Sequence, residues 1–241
     1  MMAPPGALAS ARGLSFDVDG TLYRVRRARV AWRLRRDRGL LIALLAAREK
    51  IRREPPLADA AALERREAEL VAPALDLSTS EVRARLDRLR ERLPEALCRG
   101  MRPYPGVRAA LEAAAARGLR LATLSDFDPV PKLRYLGLEG LPWSAHVGAE
   151  ALGALKPQPV PFRAVAEALG LAPSDVVHVG DRERLDVRGA LGAGLRAWRF
   201  DPRGDGSSRA ERSFSRYTLD VFLPLAERAG AEHGRGRAPA R

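Results

Sequence analysis

From Tyr104 onward, short apolar runs alternate with helical stretches that end at glycine, and that rhythm admits few folds. A helix over about 107–117 ends at Gly118, a strand follows over 119–124, and a short helix near 131–136 ends at Gly137. Further strands are expected at 145–147, 176–179 and 195–200, with helices near 160–169, 183–193 and 219–229. Strands separated by helices pair in parallel, and both faces of such a sheet are covered. One more strand lies upstream, where Leu14, Phe16 and Val18 alternate with Ser15 and Asp17 until Asp19-Gly20 ends the pattern. The expected fold class is α/β, with a mostly parallel five-stranded sheet flanked by helices.

Residues from about 28 to 97 interrupt this unit and contain no strand pattern. Three Arg/Glu/Leu-rich helical stretches are separated by Pro55-Pro56 and by 73–79, with Ser78 or Thr79 placed to cap the third and Glu81 in its first turn. The expected organisation is a core of residues 1–22 and 104–229, an all-helical insertion over 23–103, and a disordered Gly/Pro/Arg-rich tail over 230–241.

Open sheets of this kind bind ligands beyond the carboxyl ends of their strands. The polar residues expected there are Asp17 and Asp19 after the first strand, Ser125 and Asp126 after the second, Lys156 in the loop beyond the third, and Asp181 and Asp186 after the fourth. A carboxylate nucleophile approaching a phosphate dianion is repelled unless cations neutralise the encounter. Lys156 supplies one fixed positive charge, and Asp17 and Asp181 are the hard oxygen donors that Mg²⁺ prefers. Asp19 follows Asp17 by two residues, so an extended chain places both carboxylates on one side.

The segments Phe16-Asp17-Val18-Asp19-Gly20-Thr21-Leu22, Leu124-Ser125-Asp126, Lys156-Pro157-Gln158-Pro159 and Gly180-Asp181 with Asp186 resemble, in order and spacing, the four motifs of the haloacid dehalogenase superfamily. The resemblance spans about 14–200, apart from the helical insertion, whose position just after the first motif resembles the mobile C1-type cap of that family. It implies a Rossmann-like core and a magnesium-dependent phosphate monoester hydrolase acting on a small phosphorylated metabolite through an aspartyl-phosphate intermediate. By the same resemblance Asp17 is the nucleophile, and Asp19 is the general acid and later the base, with its backbone carbonyl on the metal. Ser125, the backbone N–H of Asp126 and Lys156 hold the phosphoryl group. The metal site is Asp17, Asp19, Asp181 and Asp186, the last acting through water or by orienting Asp181 and Lys156. Family members that displace halide lack an acidic residue at the place of Asp19, so ester hydrolysis is favoured over dehalogenation. The same covalent step would serve a phosphotransferase or sugar-phosphate mutase, and a binding or regulatory module on this fold is the reading from a different class.

Arg182 and Arg184 depart from the family pattern, which has small or polar residues there, and Leu185 stands where Asn is common. Either arginine would compete for Asp181 or Asp186, or point into solvent. The formal net charge of +12 is nearly all arginine, with Lys50, Lys132 and Lys156 the only lysines. The arginines alternate with Glu and Asp along helical faces and no recognised nucleic-acid motif accompanies them, so nucleic acid is not an expected partner. Trp32 with Arg24, Arg26, Arg27, Arg29 and Arg33 is placed either to grip an anionic substrate or to form a basic solvent face.

Cys98 is the single cysteine, which rules out an internal disulfide and fits a reducing compartment. No secretory pattern occupies Met1 to Arg12, and the apolar run Gly39 to Ala47 is far shorter than the ~20 residues of a membrane helix, so a cytoplasmic location without a membrane partner is expected. His146, His178 and His233 are scattered; His178, in a core strand, is expected to be buried and hydrogen-bonded rather than a ligand.

Overall fold

The structure, a computed structural model, describes residues 11–204 and 206–226. Its first strand, β1 (Gly13–Phe16), is followed by four helices, α1 (Arg27–Arg33), α2 (Arg38–Ile51), α3 (Ala60–Leu75) and α4 (Thr79–Cys98). The chain then alternates: α5 (Val107–Ala116), β2 (Arg120–Ser125), α6 (Val130–Tyr135), β3 (Trp143–Gly148), α7 (Pro159–Ala168) and β4 (Val176–Gly180). A single π-turn over Glu183–Val187 leads into α8 (Arg188–Gly192), and β5 (Arg196–Phe200), β6 (Arg212–Phe214) and α9 (Leu223–Ala226) complete the described chain.

The strands form one sheet in the order β3-β2-β1-β4-β5-β6, and every pair is parallel. The expected five strands are therefore six. β6 escaped the sequence pattern because it has only three residues, none of them buried, and carries Arg212 and Ser213 at the sheet edge. The other strands lie within two residues of their expected positions. Leu14, Phe16 and Leu121 pack on one face with Leu111 and Trp198, while Ala122 and Leu124 pack on the other with Phe162, Val165 and Ala197. Burial on both faces is what a parallel sheet needs, and each Leu or Phe so enclosed contributes about 1.5–3 kcal/mol.

The helical insertion has four α-helices where three stretches were expected, because α1 is broken from α2 near Leu34. Its apolar residues, among them Leu44, Val71, Leu86 and Leu93, form a core of their own. Ser78 caps α4 through a full capping box with Glu81. Pro73, expected to separate two helices, lies inside α3, which ends instead where Asp76 takes a left-handed conformation at φ 52°. The two crossings to the sheet lie side by side: Tyr23 bridges Pro103, and the Tyr104 N–H donates to the Leu22 carbonyl at 2.9 Å. Of the helix expected over 219–229, only Leu223–Ala226 is helical among the described residues. The tail over 230–241 lies outside them. Among the described residues no helix is long and apolar enough to cross a membrane.

Candidate active site

The strand order runs outward from β1 in both directions, so the crevice at its carboxyl end lies between β2 and β4. Asp17 occupies that point, its N–H still bonded to the Val179 carbonyl of β4 at 2.9 Å. Its Oδ2 accepts from Thr21 Oγ1 at 2.9 Å and its Oδ1 from Lys156 Nζ at 2.6 Å. The same Nζ donates to Asp186 Oδ1 at 2.6 Å, so one buried ammonium ties two buried carboxylates from different strands. Asp186 Oδ2 also accepts from the Arg182 backbone N–H at 3.0 Å.

Asp181 completes a group of three, in which one carboxylate oxygen each from Asp17, Asp181 and Asp186 lies within 4.8 Å of the others. Unlike its neighbours, Asp181 has a buried oxygen, Oδ1, without a hydrogen-bond partner. Burial, and then repulsion from Asp17 and Asp186, pushes its pKa up to about 7. A cluster of hard oxygen donors, under-neutralised and with one oxygen unsatisfied, suits a hard divalent cation. Burial likewise raises Asp17 despite Lys156, whereas Lys156 overcomes burial at Asp186 and, with His178, lowers it.

Gly20 makes this approach possible. It sits at φ +101°, and a Cβ there would lie 2.5 Å from Asp181 Oδ2. Gly20→Ala is expected to displace Asp181 and lower kcat by at least about tenfold while costing about 1–3 kcal/mol of stability. Steady-state kinetics beside thermal melting checks this, and unchanged kcat would show that Asp181 need not stay where it is.

Asp19 is held apart from the group of three. Its Oδ1 accepts from Tyr23 OH at 2.6 Å and its Oδ2 from Lys132 Nζ, which also donates to Ser125 Oγ at 2.9 Å. Burial alone would raise the Asp19 pKa, but Lys132 and then Tyr23 outweigh it and the net shift is downward. The Asp126 side chain spans two structural units: Oδ1 accepts from the Lys156 N–H at 3.0 Å, and Oδ2 pairs with Arg52 at the carboxyl end of α2. Arg52 Nε donates to the Lys156 carbonyl at 2.7 Å.

All seven residues selected from sequence, Asp17, Asp19, Ser125, Asp126, Lys156, Asp181 and Asp186, thus meet at one crevice. Lys132, Arg48 of α2 and Arg52 just beyond that helix were missed. Lys132 carried a usable signal: in a chain that uses arginine almost everywhere, two of the three lysines stand in this site. A compact ammonium fits between buried oxygens where a guanidinium fork does not. His178 is buried as expected, its Nδ1 3.0 Å from Ser15 Oγ.

The arginines of α1 do not reach the crevice. Arg33 donates to the carbonyls of Glu95, Ala96 and Arg99, closing the end of α4, and Arg29 reaches the Gly100 carbonyl. Arg184 turns outward to Glu49 of α2 at 2.7 Å, and neither the Arg182 nor the Arg184 side chain bonds Asp181 or Asp186. A cavity of about 220 Å³ opens between the helical unit and the sheet, with Asp17, Ser125 and Lys156 at one end. A larger one, about 370 Å³ between α4 and α6, includes Lys132 in its lining and shares Leu93 and Phe127 with the smaller cavity.

The fold and this arrangement define a hydrolase-type α/β scaffold with a carboxylate at the tip of its central strand. Residues 11–194 match the family described as haloacid dehalogenase-like hydrolase, and the chain belongs to that family. It is similar to a phosphoglycolate phosphatase of Rhodospirillum rubrum, 38% identical over 125 residues, which are 50% of each chain. It is also similar to a phosphoserine phosphatase of Thermus thermophilus, 40% identical over 118 residues, 46% of each. The chain spans about half the length of these curated relatives. Among solved structures, a 2-haloacid dehalogenase from Pseudomonas syringae pv. Tomato aligns over 90% of this chain and 98% of its own, with TM-score 0.62 and 24% identity. A HAD phosphatase from Thermococcus onnurineus aligns over 90% and 99%, with TM-score 0.56 and 20% identity. Both likenesses concern the fold.

Proposed function

We propose that the protein is a magnesium-dependent phosphate monoester hydrolase working through an aspartyl-phosphate on Asp17, with residues 23–103 acting as a cap over the crevice. The observation that carries this reading is the division of labour among four carboxylates. Asp17 is paired with Lys156, Asp181 keeps an oxygen free, Asp186 holds Lys156 in place, and Asp19 is held separately by Lys132 and Tyr23. An acidic side chain at position 19, gripped at both oxygens, fits a reaction that must protonate an ester oxygen. That two curated relatives 38% and 40% identical over about half of the chain are named phosphatases supports the same choice.

Asp17 and Asp181, with Asp186 beside them and the Asp19 carbonyl, would hold Mg²⁺, which when bound would shield the incoming dianion from Asp17 and draw charge from a phosphoryl oxygen. Lys156 offsets the charge of Asp17 and fixes its oxygen toward the phosphorus. Ser125 Oγ and the Asp126 N–H position the phosphoryl oxygens. Asp19 is ionised in the free protein, and the negative charge of an entering ester raises its pKa so that it takes up a proton. That proton passes to the leaving alkoxide as Asp17 Oδ forms its bond to phosphorus. Asp19, again a carboxylate, then accepts a proton from water, whose oxygen attacks the phosphorus, freeing Asp17 and releasing inorganic phosphate. Arg52, reaching from just beyond α2 to both Asp126 and the Lys156 carbonyl, would register closure of the cap at the phosphate end.

The test is phosphate release from an aryl phosphate. With millimolar Mg²⁺ the protein should turn over, and chelation should lower the rate at least about a hundredfold, restored by re-addition. A rate indifferent to chelator overturns the metal requirement, and transfer to an added alcohol without phosphate release would make the protein a phosphotransferase.

A further inference from the structure

The cavity that begins at Asp17, Ser125 and Lys156 ends on a different chemistry. Its far wall is supplied by the helical unit through Val25, Val30, Leu41, Leu45, Leu93 and Leu97. Leu45 is 51% exposed and lines this cavity. Solvent-facing leucines on a surface helix are ordinary singly, but six aliphatic side chains converging on a space continuous with a phosphate-type site form a binding wall.

The cations that the helical unit contributes to the same space are already engaged. Arg48 Nε pairs with Glu67 at 2.6 Å and its Nη2 with Glu150 at 2.7 Å, while Arg90 also pairs with Glu67. Two arginines against two glutamates leave no net charge. Arg48 further lies over the Phe127 ring at 3.8 Å, and only its Nη1 lacks a partner. Arg52 is neutralised by Asp126. Arg182, on the core side near Asp181, also lines the cavity, and its side chain has no ion-pair partner among the described residues. The cap side of the cavity therefore offers aliphatic surface and no free cation for a second anionic group.

We infer that the substrate is a phosphate monoester of a small apolar alcohol, aliphatic or aromatic, which lodges its carbon chain against the Val25, Leu41, Leu45 and Leu97 wall. The inference rests on the phosphatase reading above and narrows it. A volume of about 220 Å³ is below the ~300 Å³ at which drug-sized pockets begin, so the alcohol is short.

The experiment compares n-alkyl phosphates from ethyl to hexyl, phenyl phosphate and phosphoglycolate as substrates, with Mg²⁺ present. We expect kcat/KM to rise about threefold per methylene until the cavity is filled, and butyl phosphate to exceed phosphoglycolate at least about tenfold. Leu45→Asp, at an exposed position that tolerates the change, should flatten the chain-length series. Binding of the non-hydrolysable n-alkylphosphonates, measured by calorimetry, should tighten along the same series in the parent protein. Turnover with a flat series, or with phosphoglycolate preferred, overturns this inference and leaves the phosphatase reading standing. No turnover of any ester overturns the phosphatase reading, and phosphonate affinity that is independent of chain length removes the apolar wall as a determinant whatever the catalytic result.

Discussion

Asp17→Asn should abolish turnover, lowering kcat by at least about 10⁴-fold, while leaving the protein folded. The amide keeps the size of the carboxylate and can still meet Thr21 Oγ1, but it lacks the charge and lone-pair strength to form the bond to phosphorus. Lys156 retains Asp186 as a partner, so the buried ammonium is not stranded. The lost carboxylate had been raised by burial and by Asp186 and Asp19, so its removal relieves repulsion inside the site. Melting temperature should therefore hold or rise slightly, which separates a chemical effect from a folding one. Rapid-quench experiments with ³²P-labelled aryl phosphate should trap acid-stable label on the parent and none on the variant. Residual activity near the parent level would remove Asp17 from the reaction and with it the covalent mechanism.

How much of this was legible in the sequence depends on what kind of signal each part leaves. Strands β1, β2, β4 and β5 are announced by apolar runs whose length and punctuation survive any tertiary context, and the acidic or polar residue at the end of each is fixed by the same register. β6 leaves no such mark, since a three-residue edge strand takes its conformation from pairing with β5 and not from its own pattern. Proline misled at position 73 because only its own missing N–H and the carbonyl four residues earlier are affected, and near the end of α3 that costs little. The arginines of α1 were ambiguous for a different reason: a long cationic side chain serves a helix carboxyl end as readily as a ligand, and the choice is made by where α4 stops. Arg52 and Asp126 stand 74 residues apart, and nothing in either neighbourhood announces the pairing. Lys132 differs, for its type alone, in a chain of arginines, pointed to a place where shape mattered.

The second large effect is expected at Lys156→Met. Nζ is the only cationic side-chain group bonded to Asp17 and Asp186 among the described residues, at 2.6 Å from each. Removing it leaves three carboxylates within 4.8 Å of one another in a largely buried site. A carboxylate stripped of its partner in such surroundings answers by keeping its proton. Asp186, now held low chiefly by Lys156, moves upward, and Asp17, already raised, moves further. A protonated Asp17 is no nucleophile, so kcat near neutral pH should fall about 10³-fold. Stability should fall by about 3 kcal/mol, or about 6–12 °C in melting temperature for a chain of this size.

The sign of the pH dependence follows from the direction of these shifts. A carboxyl group whose folded pKa lies above its unfolded value stabilises the fold while protonated and withdraws that stabilisation as pH rises between the two. Asp181 already spans from 3.8 to about 7 in the parent. With Lys156 gone, Asp17 moves further up and Asp186 joins them, so the variant's deficit should widen from about pH 4 to pH 7 and beyond. Millimolar Mg²⁺ should return part of the lost melting temperature, and a larger part than it adds to the parent, because the ion then supplies charge that the ammonium no longer does. Melting curves across that pH range, with and without Mg²⁺, test all three signs together. A deficit independent of pH would mean that Lys156 is a packing residue and that the carboxylates beside it are not electrostatically joined.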